Sequence, residues 1–331
     1  MTSFGTVFTP EMILTHFDGV SWSTPELVPS ERISIHPAAH VLHYASTCFE
    51  GLKAFRHADG GVKIFRLDTS IARMQQSSKK MSLPEIDPEL TRQMVIDIVR
   101  RFSTAVPKPP GSMYIRPTHM GTEPAIGKAA VASMTSTFFV LLSPVGAYFS
   151  VDSSALRLLL EVDKVRCAPH MGMVKTGGNY ASALGLITAA KQTSQADQVL
   201  FCPDGDVQET GAANFILIDG NEIITKALDH TFLHGITRDS VLTLARDLGM
   251  NISERTLSVV ELIERVTKPN AEAALSGTAA VLAPVGTLIY QGQEITVGAG
   301  NEGPITRKLR QALNAIQWGE TFDSYGWLTT I

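Results

Sequence analysis

Asp-Gly pairs recur along the chain, each at a point where a strand would reverse direction. Asp59-Gly60 separates KAFR from KIFR, Asp204-Gly205 follows QVLFCP, and Asp219-Gly220 separates NFILI from NEIIT. Such pairs favour tight turns between antiparallel strands, because glycine adopts positive φ angles without steric cost. A sheet built from hairpins is antiparallel or mixed, so the pattern argues against a purely parallel, doubly wound sheet.

Helical periodicity appears between these hairpins. In 89–103 and in 238–248, apolar residues recur every three or four positions, and Gly249 is placed to end the second segment. Gly303-Pro304 opens a third amphipathic segment, because proline is favoured in the first turn of a helix. The mixture of hairpins and helices predicts an α+β fold.

One segment has the composition of a domain boundary. SPVGAYFS, residues 143–150, carries proline and glycine between the apolar stretches STFFVLL and LRLLLEV. The length of 331 residues is typical of two domains or of one large domain. We predict a smaller N-terminal α+β domain over 1–144, a linker over 145–153 and a larger C-terminal α+β domain over 154–331.

Composition narrows the class of partner. The net charge is −4, the pI is about 6.1 and the basic residues are scattered, which argues against a nucleic acid partner. No apolar stretch is long enough to predict a membrane helix, and the N-terminus lacks the pattern of a secretory signal. Cys48, Cys167 and Cys202 are far apart, so we expect reduced thiols in a cytoplasmic protein without a metal site.

A lysine precedes two glycines in MVKTGGNYASALGL, residues 173–186. The glycines allow close approach of the backbone to a ligand. Lys175 is therefore a candidate for a covalent bond with a carbonyl cofactor. A solvated surface lysine is the alternative when this segment is taken alone.

Three further segments are rich in small residues and suit a ligand. Glu209 precedes TGAAN, where a carboxylate is placed to pair with the ring nitrogen of a flat ligand, or else points to solvent. HGITRDSV begins a helix whose free N–H groups and Thr237 hydroxyl suit a phosphate, although Thr237 is equally explained as an N-cap. SGTAA, residues 276–280, offers turn N–H groups to an anion.

The segment MYIRPT, residues 113–118, is predicted to form a strand. Alternation places Tyr114 and Arg116 on one face, and Pro117 is expected to limit continuation of the strand. An arginine on the inner face of a sheet requires an anionic partner.

Taken together, these motifs resemble the branched-chain amino acid aminotransferase family, within the fold group of the class IV, D-amino acid aminotransferase-like enzymes. The matching stretches follow the family order: HYASTCFEGLKAF (43–55), FRLDTSIARM (65–74), MYIRPT, KTGGNY (175–180), QETGAAN (208–214), HGITRDS, SGTAA and GPITRKL (303–309). The resemblance implies a two-domain α+β fold with mixed or antiparallel sheets, whose C-terminal pseudo-barrel domain carries the lysine. It also implies pyridoxal phosphate as cofactor and a homodimer.

The resemblance assigns roles residue by residue. It makes Lys175 the Schiff-base lysine, Glu209 the partner of the pyridine nitrogen and Tyr180 a donor to the ring hydroxyl. The phosphate residues are implied to be Arg73, Ile236, Thr237 and Thr278, and Leu233 is implied to pack against the ring. The residues implied for the substrate are Tyr44, Phe49, Tyr114, Arg116, Tyr148, Thr278 and Ala279.

Some positions depart from the family pattern. Ala280 and Ala283 stand where mammalian members carry a redox CxxC, so no thiol switch is expected there. Ala212 replaces a frequent threonine, and Val145 stands where some bacterial members have tryptophan. These two changes leave one cofactor contact and the side-chain preference of the pocket open.

The implied reaction transfers an amino group between L-leucine, L-isoleucine or L-valine and 2-oxoglutarate. Lys175 is the natural base for moving the α-proton, and Arg116 is expected to hold the distal carboxylate of glutamate. Three alternatives remain: a D-amino acid or (R)-amine transaminase, a lyase like aminodeoxychorismate lyase, and a binding protein without cofactor. The relative preference among the three amino acids and the direction of the reaction in the cell are not predicted.

Overall fold

The structure, a computed structural model, describes residues 4–146 and 155–331. Tyr148 and most of the predicted linker lie outside these residues, so the predicted domain limits stay a prediction. The chain comprises two compact units. The first unit consists of Met1–Tyr148, Val174–Gly177 and Ile316–Ile331, and the second unit consists of Phe149–Met173 and Gly178–Ala315.

The segment Val174–Gly177, which contains Lys175, groups with the first unit. The sequence-based prediction had placed this lysine in the C-terminal domain. The lysine therefore groups with the first unit, although the residues before and after this segment belong to the second.

The first unit contains one sheet. Its strands are β1 (Glu11–Phe17), β2 (Glu26–Pro29), β3 (Thr47–Phe49), β4 (Leu52–Arg56), β5 (Val62–Phe65), β6 (Ser112–Gly121), β7 (Ser136–Val145) and β16 (Leu328–Thr330). The strand order is β16-β5-β4-β6-β7-β1-β2, with β3 added beside β6. Every strand pair in this sheet is antiparallel.

Three helices belong to the same unit: α1 (His40–Tyr44), α2 (Leu67–Lys80) and α3 (Pro88–Arg101). Helix α3 confirms the predicted segment 89–103, and it begins with Pro88 after the Asp87 carboxylate, which accepts the N–H of Glu89. One face of the sheet forms an apolar core with α2 and α3. Tyr114 and Arg116 alternate with these core residues along β6, so they lie on the opposite face.

Strand β6 continues through Pro117, contrary to the expectation that this proline limits the strand. Its neighbours explain the difference, because β4 pairs with β6 only as far as Ile115 and β3 pairs from Thr118 onward. The Glu50 N–H donates to the carbonyl oxygen of Pro117 in the gap between them. The missing N–H of the proline points to this same side, where no ladder bond is required.

The second unit contains a mixed sheet. Its strands are β8 (Leu156–Glu161), β9 (Gln198–Phe201), β10 (Asn214–Asp219), β11 (Glu222–Thr225), β12 (Asn251–Glu254), β13 (Ala271–Gly277), β14 (Val281–Tyr290) and β15 (Gln293–Thr296). The strand order is β12-β11-β10-β13-β14-β8-β9, with β15 beside β14. The β11–β12, β14–β8 and β8–β9 pairs are parallel, and the others are antiparallel.

The remaining helices are α4 (Gly177–Ser194), α5 (Ile236–Asp247), α6 (Val259–Val266) and α7 (Pro304–Trp318). Helices α5 and α7 confirm the two predicted amphipathic segments. The predicted hairpins at Asp59-Gly60 and Asp219-Gly220 join β4 to β5 and β10 to β11. At Asp204-Gly205 the chain also reverses, and Phe201 exchanges backbone hydrogen bonds with Gln208 and Glu209. The residues after this turn form isolated bridges rather than a strand, so the predicted hairpin is not completed there. The two sheets confirm the predicted α+β class.

Candidate active site

Lys175 lies beside Phe49 in the first unit. The Phe49 N–H donates to the Lys175 carbonyl oxygen at 2.9 Å, and the Lys175 ammonium nitrogen is 5.0 Å from the centroid of the Phe49 ring. Phe49 ends β3, directly before the Glu50-Gly51 gap between β3 and β4. The Phe49 ring is therefore an apolar neighbour of the Lys175 amine.

The guanidinium of Arg116 also lies near the Phe49 ring. Its central carbon is 4.5 Å from the Phe49 ring centroid and 5.2 Å from that of Tyr114. Arg116 Nη2 donates to the Tyr114 hydroxyl at 2.7 Å, and Arg116 Nε is buried without a hydrogen-bond partner. Within residues 4–146 and 155–331, no carboxylate forms an ion pair with Arg116. A partly buried cation near aromatic rings and a hydroxyl, with no described carboxylate in an ion pair with it, suits a ligand carboxylate.

Arg73 projects from α2 and forms a bidentate ion pair with Glu50. Its Nε lies 2.7 Å from Glu50 Oε1, and its Nη2 lies 2.8 Å from Oε2. The Glu50 side chain is 1% exposed, so this carboxylate depends on Arg73 for its counter-charge. The Arg73 fork is thereby oriented before any ligand binds.

The other residues predicted for the substrate do not all lie in the described part of this unit. Tyr44 lies in α1, where its hydroxyl donates to the carbonyl oxygen of Ile126 and its ring is 4.8 Å from that of His40. Tyr148 lies outside the described residues. Val145, expected to begin the linker, is the last residue of β7 and is 4% exposed.

In the second unit, Glu209 is the centre of a buried polar cluster. Its Oε1 accepts from Arg166 Nη2 at 2.8 Å and from the Leu233 N–H at 2.8 Å. Its Oε2 accepts from Asn214 Nδ2 at 3.1 Å, and Asn214 also donates to the Leu233 carbonyl oxygen. The side chains of Arg166 and Glu209 are 4% and 3% exposed. The carboxylate is therefore held in one orientation beside a buried cation, rather than pointing to solvent.

Three of the four predicted phosphate residues, Ile236, Thr237 and Thr278, lie in the second unit, whereas Arg73 lies in the first. Helix α5 begins at Ile236 with Gly235 as its N-cap, so Thr237 lies in the first turn and is not the N-cap. The Asn214 side chain approaches Gly235 so closely that a Cβ there would lie 1.9 Å from Asn214 Oδ1. Only glycine therefore fits where this helix begins.

The SGTAA segment forms the turn from β13 to β14, with Thr278 and Ala279 half-buried. Ser276 at the end of β13 pairs with Asn214 at the start of β10, which places this turn near the Glu209 cluster. Tyr180 lies in the first turn of α4 and is half-buried. Ala212 occupies a turn in which its N–H donates to Thr210 Oγ1 at 3.4 Å.

Burial sets the ionisation of the groups around these clusters. It lowers the pKa of Lys53 to about 8. It raises the pKa of the Cys48 thiol to about 12, and it also raises the pKa values of Cys167 and Cys202. All three thiols are free and buried, so they are not thiolate nucleophiles at neutral pH. No group of three or more potential metal ligands occurs among the described residues.

Several residues that build these clusters were not predicted from the sequence. Glu50 pairs with Arg73, and Arg166 pairs with Glu209. Asn214 donates to the carbonyl oxygen of Leu233. The FEG motif contained a signal for Glu50, because a charge in an apolar stretch needs a partner. No local pattern marks Arg166, whose partner is 43 positions later along the chain.

Comparison with known proteins identifies the class. The family model described as Amino-transferase class IV matches residues 47–288. The chain belongs to this family, and the predicted enzyme class is confirmed.

Relatives within the family are more specific. The chain is 35% identical to branched-chain-amino-acid aminotransferase 2 of Bacillus subtilis over 99% of this chain and 92% of the relative. It is 26% identical to the T.th. branched-chain amino acid aminotransferase solved with pyridoxamine 5'-phosphate, with a TM-score of 0.80 over 97% of this chain and 98% of that one. A structure of the same T.th. enzyme with N-(5'-phosphopyridoxyl)-L-glutamate gives a TM-score of 0.79 at the same identity and coverage. The resemblance stated from the sequence is confirmed.

Proposed function

We propose that this protein transfers the amino group between L-leucine, L-isoleucine or L-valine and 2-oxoglutarate, using pyridoxal phosphate. The observation that carries the proposal is that the Phe49 ring lies near both Lys175 and Arg116. An amine, an apolar wall and a cation without a carboxylate partner in the described chain are thus combined in one cluster. Such a cluster suits a substrate that presents methyl groups in one half-reaction and a second carboxylate in the other.

The cofactor is supported by the donor and acceptor chemistry of the second unit. Glu209 is a buried carboxylate oriented by three donors, which suits a ligand N–H. The start of α5 and the Thr278 turn present backbone N–H groups that suit a phosphate. Two structures of the T.th. relative contain pyridoxamine phosphate or a phosphopyridoxyl adduct, which supports the same group here.

Pyridoxal phosphate, when bound, supplies an electron sink for the α-carbon of the substrate. Lys175 would carry the cofactor and then, as a free amine, move the α-proton. Glu209 would hold a proton on the ring nitrogen, and Arg166 would stabilise Glu209 as a carboxylate while it does so. Tyr180 would donate to the ring hydroxyl, and Leu233 would pack against the ring.

The phosphate would be held by Arg73, Ile236, Thr237 and Thr278. Arg73 is already paired with Glu50, so we propose that it contributes as one half of an ion pair rather than as an isolated cation. The N–H groups of the first turn of α5 then carry a larger share of the anion's stabilisation.

Arg116 would serve the distal carboxylate of glutamate. Leucine brings only methyl groups to that position, and these would contact Phe49 and Tyr114. Tyr44, Tyr148 and the turn at Thr278-Ala279 would complete the substrate site. No described carboxylate is paired with Arg116, which supports this role over that of a structural ion-pair partner.

An absorbance titration tests the proposal. Protein purified with pyridoxal phosphate is mixed with L-leucine, and the cofactor band is expected to change to that of its amine form and to return when 2-oxoglutarate is added. A parallel sample with D-alanine tests the D-amino acid alternative, and release of pyruvate without a second keto acid tests the lyase alternative. Absence of the L-leucine response would refute the proposal.

We also propose a cytoplasmic homodimer. No helix within the described residues is long and apolar enough to cross a membrane. In the first unit, Leu42, Ile126, Val131 and Met134 are each more than half exposed, and apolar side chains exposed in one region favour association. Sedimentation velocity should give about twice the 35.8 kDa chain mass, and a monomer at micromolar concentration would contradict the dimer.

A further inference from the structure

Lys175 is the central residue of a three-residue turn. The Thr176 N–H donates to the carbonyl oxygen of Val174 at 3.0 Å, which closes a turn of the γ type around the lysine. Lys175 does not have a positive φ angle, so the turn is of the commoner inverse kind. The lysine side chain therefore leaves the backbone at the apex of a tight reversal, two residues before α4.

Both peptide groups that flank the Lys175 Cα atom are held by the first unit. On one side, the Lys175 N–H donates to Ser77 Oγ at 3.1 Å. On the other side, the Lys175 carbonyl oxygen accepts the Phe49 N–H at 2.9 Å. Fixing both peptide planes fixes the direction of the Cα–Cβ bond between them.

Ser77, which accepts the Lys175 N–H, is a buried residue of α2. It is 1% exposed and lies on α2, four residues after Arg73 and hence on the same helix face. A further bond, from Thr176 Oγ1 to the carbonyl oxygen of Thr47 at 2.7 Å, ties the same turn to β3. Among these three contacts, the bond to Ser77 is the one in which a side chain contacts the backbone of Lys175.

We propose that Ser77 is a positioning residue for Lys175. Its hydroxyl orients the lysine backbone so that the amine reaches the substrate carbon from a defined direction. A lysine side chain has several rotatable bonds, so a well-placed amine requires a fixed starting bond, and small misplacement of a reacting group costs rate steeply. The inference rests on the proposed role of Lys175.

The matched control is Ser78, the next residue of α2. It is 2% exposed, and its hydroxyl contacts His119 Nδ1 at 3.0 Å and Cys48 Sγ at 3.3 Å. Ser77→Ala and Ser78→Ala therefore each remove one buried hydroxyl from the same helical turn. Only the first change leaves the Lys175 N–H without its acceptor.

The experiment uses cofactor-free protein. Thermal melting is recorded first, and the protein is then mixed with pyridoxal phosphate to follow the absorbance of the lysine-bound cofactor. We expect both variants to melt at similar temperatures. We expect the lysine bond to form at least about tenfold more slowly in Ser77→Ala and within about twofold of wild type in Ser78→Ala. The first half-reaction with L-leucine should slow in the same order.

Equal formation rates in the two variants would overturn the inference. If Ser77→Ala does not fold, Ser77→Cys decides, because a thiol is a weak acceptor of similar size. It is expected to give an intermediate rate, and a wild-type rate would overturn the inference. Failure of the wild-type protein itself to form the lysine bond would instead refute the proposed function.

Discussion

Arg116 in the first unit and Glu209 in the second unit of this aminotransferase differ in how their charges are compensated. In the first unit, the Arg116 guanidinium lies near the rings of Phe49 and Tyr114, and no described carboxylate forms an ion pair with it. In the second unit, the Glu209 carboxylate accepts from Arg166, Asn214 and a backbone N–H, all within the protein. The Glu209 charge is therefore compensated within the protein, whereas Arg116 has no ion-pair partner among the described residues.

The difference separates two kinds of functional group. A buried charge that is compensated internally is a fixed part of the fold, so its removal should affect stability and chemistry together. A buried charge without an internal counter-charge carries an energetic cost in the free protein, so its removal should affect ligand selectivity with little loss of stability. Five variants test these expectations and the proposed function, from the largest expected effect to the smallest.

Lys175→Ala is expected to lower turnover by several orders of magnitude. Under the proposed function, it removes both the covalent anchor of the cofactor and the group that moves the α-proton. The measurements are steady-state transamination of L-leucine and the absorbance of the bound cofactor. A retained lysine-bound absorbance band with near-normal turnover would show that another residue has this role.

Glu209→Gln is expected to affect folding and chemistry together. It leaves Arg166 buried without a counter-charge, which should lower the free energy of unfolding by about 3–5 kcal/mol. The single-turnover rate with L-leucine should also fall, because an amide cannot hold the ring nitrogen protonated. Urea unfolding and stopped-flow absorbance give the two values. An unchanged single-turnover rate would exclude Glu209 from the chemistry, whatever the loss of stability.

Arg73→Ala alone would confuse two effects, because it leaves the Glu50 carboxylate buried and unpaired. The double variant Arg73→Ala with Glu50→Gln removes the pair and isolates the role of Arg73 toward the phosphate. We expect pyridoxal phosphate affinity to fall by about 2–4 kcal/mol, the scale for losing a charged hydrogen-bond partner of a ligand. Equilibrium titration of the apoprotein measures this, and an unchanged dissociation constant would remove Arg73 from the phosphate site.

Arg116→Met is expected to separate the two half-reactions. The glutamate half-reaction should lose about 2–4 kcal/mol in kcat/KM, whereas the leucine half-reaction should change much less. The free energy of unfolding should stay within about 1 kcal/mol of wild type, because no described carboxylate loses its partner. Equal losses with both substrates would indicate that Arg116 serves the α-carboxylate or orients Tyr114.

Lys53→Met is expected to stabilise the protein at neutral pH. Burial lowers the pKa of Lys53 from 10.5 to about 8, so the folded protein binds fewer protons than the unfolded chain between these values. The cost is fully present below pH 8 and disappears above pH 10.5, so wild-type stability rises with pH through this window. Methionine should add roughly 1–2 kcal/mol at pH 7 and much less at pH 10, measured by urea unfolding. A gain independent of pH would assign the effect to packing instead.

Local rules predicted the regular elements well. The turns at Asp59-Gly60 and Asp219-Gly220, the amphipathic segments and the strand at MYIRPT correspond to observed elements, because turn chemistry and periodicity act over neighbouring residues. At Asp204-Gly205 the chain turns, but no second strand completes the predicted hairpin. The expectation for Pro117 was wrong, because the consequence of a missing N–H depends on which strand lies opposite it. That neighbour comes from another part of the chain.

The candidate site follows the same division. Motifs spread over the chain identified the family and indicated the charged and aromatic residues of the candidate site, because the identity of each residue determines the chemistry of its side chain. Only the tertiary structure decided that Arg73 is paired with Glu50, that Arg166 compensates Glu209, and that Ser77 accepts the Lys175 N–H. Whether a buried charge has a partner depends on distances of about 3 Å between residues 23 to 98 positions apart, and no local pattern encodes such distances.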